Sequence, residues 1–446
     1  MNTPICDFVR RYAQMTPVRM HMPGHKGTPI LGFEQYDITE IDGADELFAS
    51  HGIIAESEEN ASAVFGVRTL YSAAGSTLCI QAMLWLIAQY AVQRNKKPLV
   101  LAARNAHRAF VNAAALTGMA VEWIFPRGGS YHSCDFGLDE LEKLILAHRP
   151  VAVYLTSPDY LGNIADIESI SKICRKHSVV LAVDNAHGAY LRFLPKSMHP
   201  SDLGADICCD SAHKTLPVIT GGAYLHIGSD APKNFAQNAK IAMSVFGSSS
   251  PSYLILQSLD AANARMTEYK SALEKALPLF ADIRQSIERH GIETVGNEPL
   301  KLTVAPKSFG YDGIETARFL KQNGIYVEYY DLDYTVLMLS PFHTEDAVRS
   351  AQVLCSMRRA EPKSYSTMPL CTPRAALPIR DAMLAESEVL PIEQCVGRVC
   401  AVSVISCPPA IPIVVCGEII DNIAVDCLKY YGIDKCAVLT KNKLWG

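Results

Sequence analysis

A chain of 446 residues, 49% hydrophobic and 20% charged, has an ordinary globular composition and is long enough for two or three domains around a large core. Its formal net charge of −5 gives no basic footprint, so nucleic acid is not expected as a partner. No run of about 18 apolar residues occurs, because the longest candidate, Cys79 to Val92, is broken by Gln81 and Gln89, and no membrane span is expected.

The N-terminus reads Met-Asn-Thr-Pro-Ile-Cys-Asp, with no charged region leading into an apolar one, which argues against export and for a cytoplasmic protein. Fourteen cysteines are scattered from Cys6 to Cys436 without a C-x-x-C pair. In a reducing compartment they read as small buried hydrophobes, not as a disulfide framework or a zinc ribbon.

The first sixty residues look irregular around His-Met-Pro-Gly-His-Lys-Gly, from His21 to Gly27. Pro23 and Gly24 disfavour the helix that would bring His21 and His25 to one face, so no metal site is expected there. The loop reads instead as a donor-rich segment for something anionic or polar. Asp45-Glu46-Leu47-Phe48 follows and reads as the acidic first turn of a helix. Gly75-Ser76-Thr77 then precedes an apolar helical run from Leu78 to Tyr90, where small hydroxyl residues can cap and free amides can hold an anion.

From Pro98 onward, strand-like and helix-like segments alternate. Strands are expected over 99–102, 121–125, 151–156, 179–183, 207–209 and 223–227, with helices over 107–118, 138–147 and 167–177. Continuous apolar strands between amphipathic helices predict an α/β fold with a mostly parallel sheet covered on both faces. Chemistry in such sheets gathers at the carboxyl ends of the strands, where His107, Asp184, His187 and Lys214 fall. A long helical stretch over 254–290 leads to a small α/β domain, with strands at 302–305, 326–330 and 335–339 and helices at 314–323 and 344–357. Glu361 to Pro378 is polar, holds four prolines and reads as a linker. The boundaries are thus an N-terminal arm over 1–60, a large domain over 61–260, a small domain over 261–360, a linker over 361–380 and a β-rich piece over 381–446. Neither G-x-x-x-x-G-K-[ST] nor G-x-G-x-x-G occurs, so nucleotide readings lack a motif.

The stretch Ser211-Ala-His-Lys-Thr-Leu216 carries the sharpest chemical signal. A lysine amine held still with a lowered pKa attacks carbonyls, and pyridoxal phosphate (PLP) enzymes hold their cofactor through such a lysine as a Schiff base. That chemistry also needs an acid for the pyridinium nitrogen, something flat over the ring and an anion site for the phosphate. Asp184, at the end of a buried strand, is costly unless it meets a cation, and a pyridinium is one. His107 can stack on the ring, while Gly75, Ser76, Thr77 and Ser211 can cradle the phosphate. Asp184 precedes Lys214 by about thirty residues, room for one crossover between parallel strands.

The chain resembles the PLP-dependent ornithine/lysine/arginine decarboxylases of the aspartate-aminotransferase (type I) fold, in their short form. The segments that carry the resemblance are HMPGHKG (21–27), AGST (74–77), RNAHRA (104–109), DNAHGAYL (184–191), SAHKTL (211–216), SSPSYLILQSLD (249–260) and PPAIPIVVCGE (408–418). It implies that Lys214 carries the cofactor, Asp184 faces the ring nitrogen, His107 stacks on the ring, and Ala186 and His187 lie on its other side. It places Gly75, Ser76, Thr77, Ser211 and His213 at the phosphate, and has the loop with Ser249, Ser250 and Ser252 reach the phosphate of a partner subunit, hence a homodimer or larger homo-oligomer. The implied reaction is α-decarboxylation of a basic amino acid, arginine ahead of lysine and ornithine, in polyamine metabolism, with Lys214 or His213 returning the proton to Cα. Glu418, ahead of Asp45 and Glu46, is expected to meet the distal cation, with His21 also near the substrate. The chain departs from the family at Ala74 (commonly Asn), at Cys407 to Ala410 (commonly Tyr-Pro-Pro-Gly) and at Cys416 (commonly Pro), all of which touch pocket shape. A type I aminotransferase or a non-catalytic PLP-binding homologue is the rival. The absence of arginine between Asp331 and His343, where a carboxylate clamp would sit, favours decarboxylation over amino transfer.

Overall fold

The computed structural model describes residues 1–363, 370–405 and 410–440. Contacts group the chain into two compact units. One consists of Met1–Lys97, Val151–Ser157 and Asp166–Ser271, the other of Pro98–Pro150, Pro158–Ala165 and Ala272–Gly446. The strands of the first half are β1 (Arg68–Ser72), β2 (Leu99–Ala103), β3 (Ala120–Ile124), β4 (Ala152–Thr156), β5 (Val180–Asp184), β6 (Ile207–Asp210) and β7 (Ala223–Ile227). Helices up to the same point are α1 (Pro4–Gln14), α2 (Ile53–Phe65), α3 (Gly75–Gln93), α4 (Arg108–Thr117), α5 (Leu138–His148), α6 (Ile167–Lys176) and the single turn α7 (Ala212–Thr215). Then come α8 (Lys233–Ser244), α9 (Tyr253–Ala264) and α10 (Met266–His290).

In the first unit β4, β5 and β6 run parallel, β7 runs against β6, and β1 closes the series antiparallel to β7. The residues of β5, β6 and β7 are buried throughout, as their apolar sequences Val-Leu-Ala-Val, Ile-Cys-Cys and Ala-Tyr-Leu-His-Ile require of strands covered on both faces. The register sets Thr156 beside Asp184 and Asp184 beside Cys209, so the carboxyl ends of β4, β5 and β6 lie level. Helix α3 is long and apolar enough to cross a membrane by length and a mean hydropathy of 1.3. Here it is a core helix: Leu78, Cys79, Met83, Leu84, Leu86 and Ile87 are buried, and it packs against α8 and β7.

In the second unit β2 and β3 pair in parallel. A separate antiparallel sheet has the order β10-β11-β9-β8, built from β8 (Glu293–Val295), β9 (Lys301–Ala305), β10 (Tyr329–Tyr330) and β11 (Thr335–Met338), beside α11 (Gly313–Gln322) and α12 (Thr344–Cys355). The last segment holds α13 (Ile379–Leu384), β12 (Ser387–Pro391) paired with β15 (Lys435–Leu439), β13 (Val404–Ile405) paired with β14 (Pro412–Val414), and α14 (Asn422–Tyr430). Ile413, Val414, Ile420, Leu428 and Val438 form its core.

Five sequence expectations are corrected. The first sixty residues hold α1 and the start of α2; Pro4 opens α1 and is buried along with Ile5, Cys6 and Val9. The stretch expected as one helix over 254–290 is two, α9 and α10, parted at Arg265. The strand expected over 326–330 shortens to Tyr329–Tyr330. Asp45 to Phe48, read as the first turn of a helix, are not helical: the next helix, α2, starts at Ile53, because the Asp45 carboxylate caps it from a distance. Strand β1 and helix α8 were not anticipated.

Asp45 also takes a role its local sequence does not advertise. Its carboxylate accepts the backbone N–H groups of Glu46 (3.0 Å), His51 (3.1 Å), Gly52 (2.8 Å), Ile54 (3.1 Å) and Ala55 (3.3 Å), satisfying the open amides at the start of α2. Burial pushes this carboxyl up, the amides outweigh it, and its pKa lies below the usual value. We expect Asp45→Ala to lower unfolding stability by about 1–2 kcal/mol in urea titrations at neutral pH. Because the folded-state pKa is the lower one, this contribution is full above the unfolded carboxylate pKa and is lost as pH falls through the folded value. An equal difference between wild type and variant at neutral and acid pH would contradict it.

Candidate active site

The parallel pairing of β5 with β6 brings two carboxylates to adjacent strand ends, Asp184 and Asp210. Asp184 is 2% exposed. Tyr154, on the neighbouring strand β4, donates its hydroxyl to Asp184 Oδ2 at 3.2 Å, and the Ala186 amide donates to Oδ1 at 3.2 Å. The Cys209 thiol lies 3.8 Å from Oδ1. Burial raises the Asp184 pKa and the Lys214 charge opposes that rise. A carboxylate in this setting is stabilised by a cation placed against it.

Lys214 lies on α7, four residues beyond the end of β6, and its Nζ is 3.0 Å from His187 Nε2. His187 is carried by the turn that leaves β5. Asp184, Ala186, His187 and Lys214 are thus assembled by two consecutive strand ends. His213 is half-buried, its amide donates to Gly222 O at 3.2 Å and its Nδ1 lies 3.0 Å from the same oxygen. Burial lowers its pKa, so the ring is neutral at pH 7.

The residues expected at the phosphate come from two helix starts. Ser211 is 2% exposed and donates its hydroxyl to Ser76 Oγ at 2.8 Å, which joins the start of α7 to the start of α3. Gly75 adopts φ +69°, left-handed backbone that favours glycine, and its N–H donates to Gly221 O at 2.7 Å. The position before α3 is Ala74, and no side chain caps the helix, which corrects the expectation of a hydroxyl cap. Ser76 and Thr77 stand in its first turn with their amides directed out of the helix.

His107, in the second unit, caps α4: its Nδ1 accepts the Ala109 N–H at 3.1 Å, which leaves Nε2 as the protonated nitrogen. Arg104, three residues earlier, was missed by sequence reasoning. Its guanidinium donates to Pro412 O (3.3 Å), Ile413 O (3.0 Å) and Glu418 Oε2 (3.0 Å), and it lies 5.0 Å from the Trp123 ring centroid. The Arg108 N–H donates to Ala410 O at 2.9 Å. Glu418, expected at the distal end of a substrate, is therefore 2% exposed and ion-paired within its own unit, where it also accepts the Val415 N–H at 2.7 Å. Asp45 is likewise occupied, by the amides of α2, so two of the three acids nominated for a substrate cation have internal partners. Glu46 is exposed. His21 contacts Tyr12 Oη and the Met22 carbonyl. Ser249 and Ser250 are exposed, and Ser252 stands at the N-cap of α9. Cys407, Pro408 and Pro409, with their departure from the family pattern, lie outside the described residues.

The family profile of the Orn/Lys/Arg decarboxylase major domain matches residues 3–303, and that of the Orn/Lys/Arg decarboxylase C-terminal domain matches residues 359–435. The chain belongs to this decarboxylase family. It is similar to the arginine decarboxylases of Bacillus subtilis (29% identical over 94% of this chain and 91% of the relative) and Halalkalibacterium halodurans (29%, with the same coverage). Among solved structures, the lysine decarboxylase of Francisella novicida matches with a TM-score of 0.80 at 17% identity, covering 98% of this chain and 81% of that one. The constitutive lysine decarboxylase of E. coli matches at 0.75 and 17%, covering 98% and 82%. The fold is the type I PLP fold, and the protein is a PLP-dependent amino-acid decarboxylase.

The residues fit that cofactor. A buried carboxylate with a raised pKa waits at a strand end for a cation, a lysine amine stands on the next turn, and the Ser76–Ser211 hydroxyl pair lies at an uncapped helix start. Glu418 calls for a different experiment from these. Burial raises its pKa and Arg104 opposes that. Arg104→Met would leave it buried without its cation, and we expect a loss of about 3–5 kcal/mol in urea unfolding. A loss below about 1 kcal/mol would show the pair to be dispensable.

Proposed function

We propose that this decarboxylase acts on a basic amino acid, arginine in preference to lysine or ornithine, and releases carbon dioxide and the corresponding amine. The observation that carries the reading is the Asp184–His187–Lys214 array at the ends of β5 and β6, with Lys214 Nζ 3.0 Å from His187 Nε2. The names of the relatives aligned along nearly the whole chain support arginine.

In this reading Lys214 would bind the cofactor aldehyde through Nζ. Asp184 would hold a proton on the ring nitrogen, His107 would cover one face of the ring, and Ala186 with His187 would flank the other. Gly75, Ser76, Thr77, Ser211 and His213 would hold the phosphate. When bound, the cofactor supplies an electron sink for the pair left as carbon dioxide departs. These residues would fix the substrate's orientation and keep charge stabilisation in place beforehand, which is where the rate would come from. Lys214 Nζ as its ammonium, or His213 once it has taken up a proton, would then return that proton to Cα. Glu418, whose buried Oε1 has no hydrogen-bond partner among the described residues, is nominated for the distal cation ahead of Asp45 and the exposed Glu46, and His21 is assigned near the substrate. Ser249, Ser250 and Ser252 reach the phosphate of a second copy, so the working unit is a homodimer or larger, cytoplasmic and engaged in polyamine synthesis.

An amine-product assay with arginine, lysine and ornithine tests the reading. Arginine should give the highest kcat/KM, Lys214→Ala should form no amine, and Asp184→Asn should lower kcat by about 100-fold to 1,000-fold. Amino transfer in place of carbon dioxide release, or turnover retained by Lys214→Ala, would overturn it.

A further inference from the structure

Beneath the residues assigned above lies a fully buried polar cluster. Asp210, His199 and His226 are each 0% exposed. Asp210 ends β6, His226 lies on the adjacent strand β7, and His199 comes from the segment between β5 and β6. Both imidazoles place Nε2 at 3.0 Å from the same oxygen, Asp210 Oδ2. Their other nitrogens are engaged too, His199 Nδ1 with Ser201 Oγ at 2.7 Å and His226 Nδ1 with Thr69 Oγ1 at 3.0 Å. The Phe65 ring packs on both, with centroids 5.7 Å and 4.6 Å away. Two nitrogens at hydrogen-bond distance from one oxygen is the spacing of shared protons, shorter than that between two ligands around a tetrahedral ion. Burial pushes the Asp210 carboxyl up, and the imidazoles outweigh it, so the group is an anion at pH 7.

The second oxygen of this anion faces the turn after β5. Asn185 Nδ2 donates to Asp210 Oδ1 at 2.6 Å, and the Asn185 amide donates to Cys209 O at 2.9 Å. The Asn185 carbonyl accepts the Gly188 N–H at 2.7 Å. A Cβ at position 188 would fall 2.0 Å from Asn185 Oδ1, so glycine is required there for the asparagine side chain to fill the turn. This accounts for Asn185 and Gly188 in the Asp-Asn-Ala-His-Gly segment, which the roles assigned above leave unused. The same turn carries Ala186 and His187 between Asp184 and Lys214.

We propose that Asn185 and Asp210 are positioning residues: the Asp210 carboxylate, clamped by two imidazoles, holds Asn185, and Asn185 holds the turn that presents Asp184 and His187 to the cofactor. The inference rests on the cofactor site proposed above and adds to it the device that keeps that site in register. Losing a hydrogen bond to a buried charge predicts a rise in the Kd for PLP of about 10-fold to 100-fold in Asn185→Ala, with an altered visible circular-dichroism band of the bound cofactor. Asn185→Asp, which sets two carboxylates against each other, should be worse than Asn185→Ala at neutral pH.

The control is Ser171→Ala, which removes a buried hydroxyl of α6 donating to Leu203 O (2.9 Å) and should lower Tm without changing Kd or the band. Titrating apo-protein with PLP and recording Tm for each variant makes the test, with Asn185→Ser replacing the alanine variant should that one not fold. Wild-type Kd and band shape in the folded Asn185 variant would overturn the proposal. So would an equal rise in Kd in Ser171→Ala at a matched loss of Tm. Wild-type protein that shows no saturable PLP binding would instead contradict the cofactor site itself.

Discussion

A carboxylate with 2% exposure at the end of a parallel strand is the constraint around which the first unit is arranged. Water cannot stabilise Asp184, and the groups that touch it supply only part of what water would: a tyrosine hydroxyl, one amide and a thiol. An ionised acid is tolerable there when a cation completes its environment. The strands on either side are apolar and buried, so the acid stands in a low-dielectric wall where a pyridinium nitrogen would feel it strongly. Substrate chemistry that stores an electron pair in a ring needs that ring kept electron-poor, and under the proposed function this buried acid would do so. Lys214 reaches the same place because β6 runs beside β5 and hands over directly to a single helical turn.

Two other buried carboxylates are also bound into the fold. Asp45 gathers five backbone amides, and Glu418 pairs with Arg104 inside the C-terminal core. Both Asp45 oxygens accept amides, whereas Glu418 uses Oε2 for Arg104 and the Val415 N–H and keeps a buried Oε1 without a hydrogen-bond partner among the described residues. Arg104 also ties 410–418 to the loop that leads into α4, since its guanidinium holds the Pro412 and Ile413 carbonyls while the Arg108 amide holds Ala410. That makes the Pro-rich C-terminal segment a brace for the helix whose cap is His107.

How much of this could be read from the sequence follows physical lines. The parallel strands were legible because burial on both faces writes a continuous apolar run, and Asp184, His187 and Lys214 were legible because they follow such runs. Strand β1 was not, since Arg-Thr-Leu-Tyr-Ser mixes polar and apolar residues and pairs only through the distant β7. Helix α1 was hidden because the turn-rich stretch from His21 to Gly27 set the reading of the whole segment, although Pro4 serves as a first-turn residue. The capping by Asp45 spans up to ten positions and has no local signature. The Asp210 cluster is less legible still: His199, Asp210 and His226 meet only after β6 and β7 pair, and sequence spacing gave no hint that Asn185 leans on Asp210 rather than on a neighbour in its own turn.

The central claim is that one lysine, held at the end of β6 beside a buried acid, carries the cofactor covalently. Reduction of PLP-loaded protein with borohydride, followed by peptide mapping by mass spectrometry, tests it most directly. The account predicts a phosphopyridoxyl group on Lys214 alone, in the peptide containing Ser211 to Leu216. Label on another lysine, or reduced protein carrying none, would contradict it.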